Sequence, residues 1–220
     1  MTPRREPLVL LLLTALATAW SAIGAHDVPT WWLEAAPVLI GGVVLFATRR
    51  RFPLTPLLLR CLFLHGLVLL VGAHWTYAEV PLGNWVRDAL GLARNHYDRL
   101  GHFAQGFVPA LLAREVLLRL RVVNGRGWLL VMVTSIALAF SAFYELLEWA
   151  TALTIGAAAD AFLGTQGDPW DTQTDMFLAL VGALLAQLLL GRLHDRQIAE
   201  VERRAPPESA AGRRGDRDGP

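Results

Sequence analysis

WLLVMVTSIALAFSAFYELLEWAT, residues 128–151, decides the fold. It holds no glycine, proline or basic residue, and its only acidic groups are Glu145 and Glu148. A helix rising about 1.5 Å per residue needs about 20 apolar residues to cross a bilayer, so this stretch reads as a membrane span. The whole composition agrees. Of 220 residues, 54% are hydrophobic and 18% charged, against about 45–50% apolar and about 25% charged in a soluble domain. The net charge of +1 gives no reason to expect nucleic acid as a partner, and the single cysteine, Cys61, excludes an intramolecular disulfide.

Working outward, the same rule marks six spans at about 7–25, 31–48, 57–78, 98–118, 128–151 and 171–190. The expected fold is therefore all-α: a polytopic membrane helix bundle occupying residues 1–198. Residues 199–220, rich in Arg, Glu, Ala, Pro and Gly, read as a disordered cytoplasmic tail. The fourth span is interrupted by Pro109, Arg114 and Glu115, with Arg114 near enough to an end to snorkel. All 20 basic residues are arginines, and those in the loops are one-sided. Arg4, Arg5, Arg49, Arg50, Arg51, Arg60, Arg119, Arg121 and Arg126 share one side, whereas Arg87, Arg94 and Arg99 take the other. Positive loops stay in the cytoplasm, which puts both termini there. A cleaved signal peptide is the alternative for the first span, but the apolar stretch runs past Ala17-Thr18-Ala19 to Ala25.

Ionisable side chains inside a bilayer are costly, and their depth is informative. Asp98 and His102 open the fourth span, Glu145 and Glu148 lie in the outer third of the fifth, and Asp171 and Asp175 open the sixth. With His74 and Tyr77 at the end of the third, four helices deliver polar groups to the periplasmic level, and little comparable is expected in the inner half. The pairs are three or four residues apart, so each can share a helix face. Gln105 continues the Asp98–His102 face. Clustered carboxylates need a neutralising partner: Arg94, Arg99, a protonated histidine or a divalent cation. Asp98, His102, Glu145, Glu148, Asp171 and Asp175 are the candidate metal ligands, and His102, Glu145, Glu148 and Asp175 the candidate catalytic groups. Carboxylate with imidazole suits Zn, Mn or Fe, and carboxylate alone Mg or Ca.

Plainer roles compete. Asn95 and Asp168 read as helix caps, with Pro169 at the first helical position, and Asp171 divides between capping and a site role. His74 reads as an interfacial histidine. Trp31, Trp32, Trp75, Trp85, Trp149 and Trp170 read as an outer aromatic belt, and Arg49-Arg50-Arg51 as a topology signal. Gly164, Gly167 and Gly182 read as turn and close-packing residues. Capping does not explain Glu145, Glu148 or Asp175.

The strings RNHYDRLGHFAQGF (Arg94–Phe107), YELLEW (Tyr144–Trp149) and FLGTQGDPWDTQTDM (Phe162–Met176) resemble the YjdF-like family of bacterial inner-membrane proteins. That resemblance implies a multi-spanning inner-membrane protein and no established activity. A fainter one is to VanZ-like proteins, associated with teicoplanin resistance. Asp98, Arg99 and His102 match its acidic-basic-histidine start, Glu145 its next-helix glutamate, and Asp175, Gly182 and Ala183 its later aspartate with small residues. Glu148 and Ala179 depart from it.

Three functions follow as expectations. The first is a membrane enzyme, using water activation or a metal on an envelope or lipid-linked ligand at the outer face. The second is a non-catalytic binder or transporter of an ion, proton or headgroup. The third is a purely structural bundle. Residues alone leave the enzyme question open.

Overall fold

The computed structural model describes residues 5–155 and 165–204. Among these the chain is helical with no strand, in the order α1 (Glu6–Ala22), α2 (Val28–Thr48), α3 (Pro56–Trp75), a 3₁₀ turn (Tyr77–Glu79), α4 (Pro81–Leu90), α5 (Tyr97–Arg119), α6 (Arg126–Ile155) and α7 (Asp171–Leu185). A π turn over Ala186–Leu190 then leads without a break into α8 (Gly191–Arg204).

Local chemistry sets these boundaries. Asp27 caps α2 by accepting the Thr30 N–H at 2.7 Å, and Thr55 caps α3 by accepting the Leu58 N–H at 3.3 Å; both helices carry proline in their first turn. The α4 helix ends on Gly91 at φ 65°, the left-handed conformation that glycine adopts without steric cost. Among the described residues, four helices are long and apolar enough to cross a membrane: α2, α3, α6 and the continuous α7–α8 rod. The apolar α1 is shorter, at 17 residues, and α5 carries charge at both ends. Large apolar side chains project outward along the rods, among them Leu12, Val43, Leu64, Phe143 and Leu188, as expected where lipid replaces water.

At the centre α5 lies against α7 with almost nothing between the backbones. A methyl built on Gly106 would overlap the Ala179 carbonyl, and one on Gly182 would overlap the Phe103 carbonyl. Ala110, Ala179, Ala183 and Ala186 are fully buried around this seam. Small residues at membrane-helix interfaces permit this approach, and Gly182 has the close-packing role read from the sequence. Gly167, at φ +82°, occupies a turn, whereas Gly164 lies outside the described residues.

The structure corrects several expectations. The third span stops at Trp75, because Thr76 takes φ 59° and breaks the helix; Tyr77 stands in the turn beyond, wedged between Gly72 and Gly101. An unforeseen amphipathic helix, α4, follows, exposing Leu82, Trp85 and Leu90. The last helix continues to Arg204, so residues 199–204 are helix and not tail. Trp31 is no belt residue: it is buried and donates its indole N–H to Ser21 Oγ at 3.0 Å, whereas Trp32, Trp75, Trp85, Trp149 and Trp170 are exposed.

The end of the bundle away from Asp98 and His102 is also far from bare. Glu115, fully buried, accepts from Thr55 Oγ1 at 2.7 Å and from Arg119 at 2.9 Å, and it meets His194 Nε2 at 3.0 Å. Arg119 also donates to the Pro53 carbonyl at 2.7 Å and stacks over Phe52. Arg114 does not snorkel; it is buried and pairs with Asp195 at 2.7 Å. This network ties the start of α3 to the end of α5 and to α8.

Candidate functional site

The sequence strings that stood out are joined at the opposite end. Asn95, in the loop before α5, exchanges hydrogen bonds with Gln166: its N–H donates to Gln166 Oε1 at 3.0 Å, and Gln166 Nε2 donates to its carbonyl at 2.8 Å. Its side chain accepts the Tyr97 N–H at 2.9 Å and donates to the Val80 carbonyl at 3.0 Å. Thus Asn95 does serve the start of α5, and it also fastens that loop to α4 and to the segment before α7.

The arginines complete this clamp. Arg94 reaches Asp171 at 2.5 Å and Asp168 at 3.3 Å, and Arg99 reaches Asp168 at 2.7 Å. Asp168 in addition accepts the Trp170 N–H at 2.9 Å. That backbone bond, and then the two guanidiniums, hold the Asp168 carboxyl below the usual carboxylate range. Its contribution to stability is therefore present above the ordinary aspartate value and is lost as pH falls through the lowered one. Thermal unfolding in detergent should show an acid-side fall that Asp168→Asn removes.

With Arg94 and Arg99 so engaged, the deeper acids face histidine. Asp98, His102 and Asp175 each offer one ligand atom, all lying within 4.8 Å of one another, and all three residues are buried. Asp98 and His102 sit one turn apart on α5, with His102 Nε2 3.4 Å from Asp98 Oδ1. His102 Nδ1 is 3.6 Å from Glu145 Oε1 on α6. Asp175 arrives from α7 and is placed against α5 by the glycine seam four to seven residues further along. Asp98 Oδ2, His102 Nδ1, Glu145 Oε1 and Asp175 Oδ1 are all buried without a hydrogen-bond partner. Such a concentration of unmade bonds among buried polar atoms is expensive.

The six candidate ligands are therefore not equivalent. Asp98, His102 and Asp175 converge, with Glu145 at their edge. Glu148 is half-buried one turn beyond Glu145, within electrostatic range of Glu145, His102, Asp98 and Asp175. Asp171 gives Oδ1 to Arg94. His74 is elsewhere: its Nδ1 lies 3.0 Å from the Ser21 carbonyl, and its ring stacks on Trp20.

Sequence reading missed Glu34. It lies on α2, is 2% exposed, and neither carboxylate oxygen has a hydrogen-bond partner. The signal was available, since it is the one charged residue between Trp31 and Thr48, but it has no paired group three or four residues away to draw attention. Glu34 lines a cavity of about 1790 Å³ whose wall also includes Asp98, His102 and Glu148.

Comparison with known proteins bears on the whole chain. A family model described as "Predicted membrane protein (DUF2238)" matches residues 6–196. The chain is 53% identical over 201 residues to the "Inner membrane protein YjdF" of Escherichia coli (strain K12), covering 90% of this chain and 96% of that one. No solved structure matches.

Proposed function

From the premise that the chain belongs to the DUF2238 family of predicted membrane proteins, and is a multi-pass inner-membrane protein, we propose that Asp98, His102 and Asp175 form a divalent-cation centre. The centre serves an envelope or lipid-linked ligand. The observation that carries this reading is the convergence of three buried ligand atoms within 4.8 Å, with Asp98, Asp175 and His102 each keeping an unpartnered atom. One imidazole and two carboxylates suit Zn, Mn or Fe, and Glu145 stands ready as a further ligand or as a base. A bound cation would polarise a phosphoryl or acyl oxygen, or activate water. Arg94, clamping Asp171 and Asp168, holds the start of α7 so that Asp175 stays in register with His102.

With α1 and α5 counted beside the four apolar rods, the chain spans the membrane six times. The arginine asymmetry then puts both termini in the cytoplasm and the centre near the periplasmic face. The fainter VanZ-like pattern supports the same polar core through Asp98, His102, Glu145 and Asp175, but the departures at Glu148 and Ala179 leave glycopeptide chemistry aside.

Metal content of the protein purified in mild detergent and equilibrated with Zn or Mn tests the proposal. About one ion per chain is expected, with affinity falling by more than about tenfold in His102→Ala and Asp175→Asn and falling less in Asp171→Asn, which leaves Arg94 its Asp168 partner. A second reading has its own support. His102, between Asp98 at 3.4 Å and Glu145 at 3.6 Å, can carry a proton in place of a metal. Absence of any bound ion in the unaltered protein would overturn the metal reading in favour of this one.

A further inference from the structure

The centre does not open into a small polar pocket. Two of its three residues, Asp98 and His102, line one end of the 1790 Å³ cavity, whose other end reaches Arg49, Arg50 and Arg51. On α2 alone the cavity extends from Leu33 to Thr48, which at 1.5 Å per residue is roughly 22 Å along the helix axis. Between these ends the walls are mostly apolar, provided by side chains such as Leu45, Phe63 and Leu69, and by Gly41 and Gly42, where nothing lies within 4 Å of an added Cβ, with His65 and Gln105 as polar exceptions.

A cavity of this length with greasy walls does not suit a water-soluble ion or sugar. Its two ends differ in chemistry. Glu34, Asp98 and Glu148 supply acceptors at the end beside His102, and Tyr77 and Tyr144 line the same end. No arginine lines that end, the arginines being at the far one. A headgroup that donates hydrogen bonds, an ammonium or a hydroxyl, is complementary to it. Glu34 is the independent indication. A buried carboxylate with both oxygens unpartnered is costly in a bilayer, and a donor from the ligand, reached by a turn of the Glu34 side chain, would relieve that cost.

We propose that the cavity takes a bilayer amphiphile, its donor-bearing headgroup between Glu34 and the Asp98–His102 centre and its hydrocarbon chain along α2 towards Arg49–Arg51. The proposal rests on the reading of that centre as a ligand site and names the class of molecule the site receives. The ligand enters from the membrane, not from water, and the metal or proton at His102 meets its headgroup.

Electron paramagnetic resonance of spin-labelled lipids in detergent-solubilised full-length protein tests this. Phosphatidylethanolamine serves as the ammonium probe and phosphatidylglycerol as the hydroxyl probe. The unaltered protein should immobilise at least one. Gly42→Phe, which fills open space without touching the acids, and Glu34→Leu should each lower the immobilised fraction by about tenfold, with metal content unchanged. Glu34→Gln separates the probes, because it keeps an acceptor for a hydroxyl and removes the charge for an ammonium. Absence of an immobilised component, or one that neither variant alters, overturns the proposal. Asp175→Asn should lose metal and still immobilise lipid, so failure of the metal centre and failure of the lipid site are read separately.

Discussion

Gly106→Ala is expected to destabilise the protein by more than about 3 kcal/mol, far above an ordinary one-methyl change. The reason is what the methyl meets. Overpacking against side chains is relieved by rotamer changes, but here the obstacle is the Ala179 backbone, and the reciprocal obstacle to Gly182→Ala is the Phe103 backbone. Either substitution drives α5 and α7 apart along a seam already filled by buried alanines. Because Asp98 and His102 ride on one helix and Asp175 on the other, the same displacement opens the three-residue cluster, so metal content should fall together with stability. Gly42→Ala is the control. Its methyl enters open space, and replacing a mid-helix glycine by alanine should stabilise by about 0.5–1 kcal/mol. Thermal unfolding in detergent, followed by tryptophan fluorescence, compares the three. Equal unfolding temperatures for Gly106→Ala and Gly42→Ala would show that α5 and α7 are not in backbone contact.

The second large effect is expected at the other end of the molecule. Glu115→Ala should cost about 3–5 kcal/mol, the range for removing one partner of a buried ion pair. It strips Arg119 of a carboxylate, leaves His194 buried without its Nε2 partner, and frees the Thr55 hydroxyl at the start of α3. His194→Ala should cost less alone and add little in the Glu115→Ala background, because the two side chains share one interaction. Additive losses from the pair would show that the two do not act together. Neither substitution should alter metal binding at Asp98, His102 and Asp175, since the network lies at the opposite end of α5.

Hydropathy made the rods legible because lipid exposure demands long apolar runs, but exact helix starts were not: the cap-and-proline start read at Asp168-Pro169 gives way to a helix that begins at Asp171. The pairs on α5, α6 and α7 could be read because spacing of three or four residues fixes a shared face. Which members converge could not be, because that depends on the distance between α5 and α7 and on the arginine clamp. Asp171 and Asp175 look alike in sequence, yet one meets Arg94 and the other lies beside His102. Glu34 and the Glu115–His194 pair escaped for another reason: their partners or neighbours are remote in sequence. Glu115 and His194 are separated by 79 positions, and no local pattern encodes such a meeting. The break at Thr76 depends on a positive φ that a threonine seldom adopts, so composition favoured a longer third helix.

The π turn at Ala186–Leu190 has a consequence for how the two ends of the protein relate. A widened turn accommodates one additional residue in a helix, and each residue of an α-helix rotates the chain by about 100°. Its effect is a phase shift: Asp175, Ala179 and Gly182 follow one angular register, while His194 and Asp195 follow another, offset from it. A uniformly wound rod aligned with α5 through Gly182 would swing His194 away from Glu115 and aim a different side chain at it. The widened turn thus lets a single helix satisfy two unrelated angular demands, and it uncouples the sequence constraints at one membrane face from those at the other.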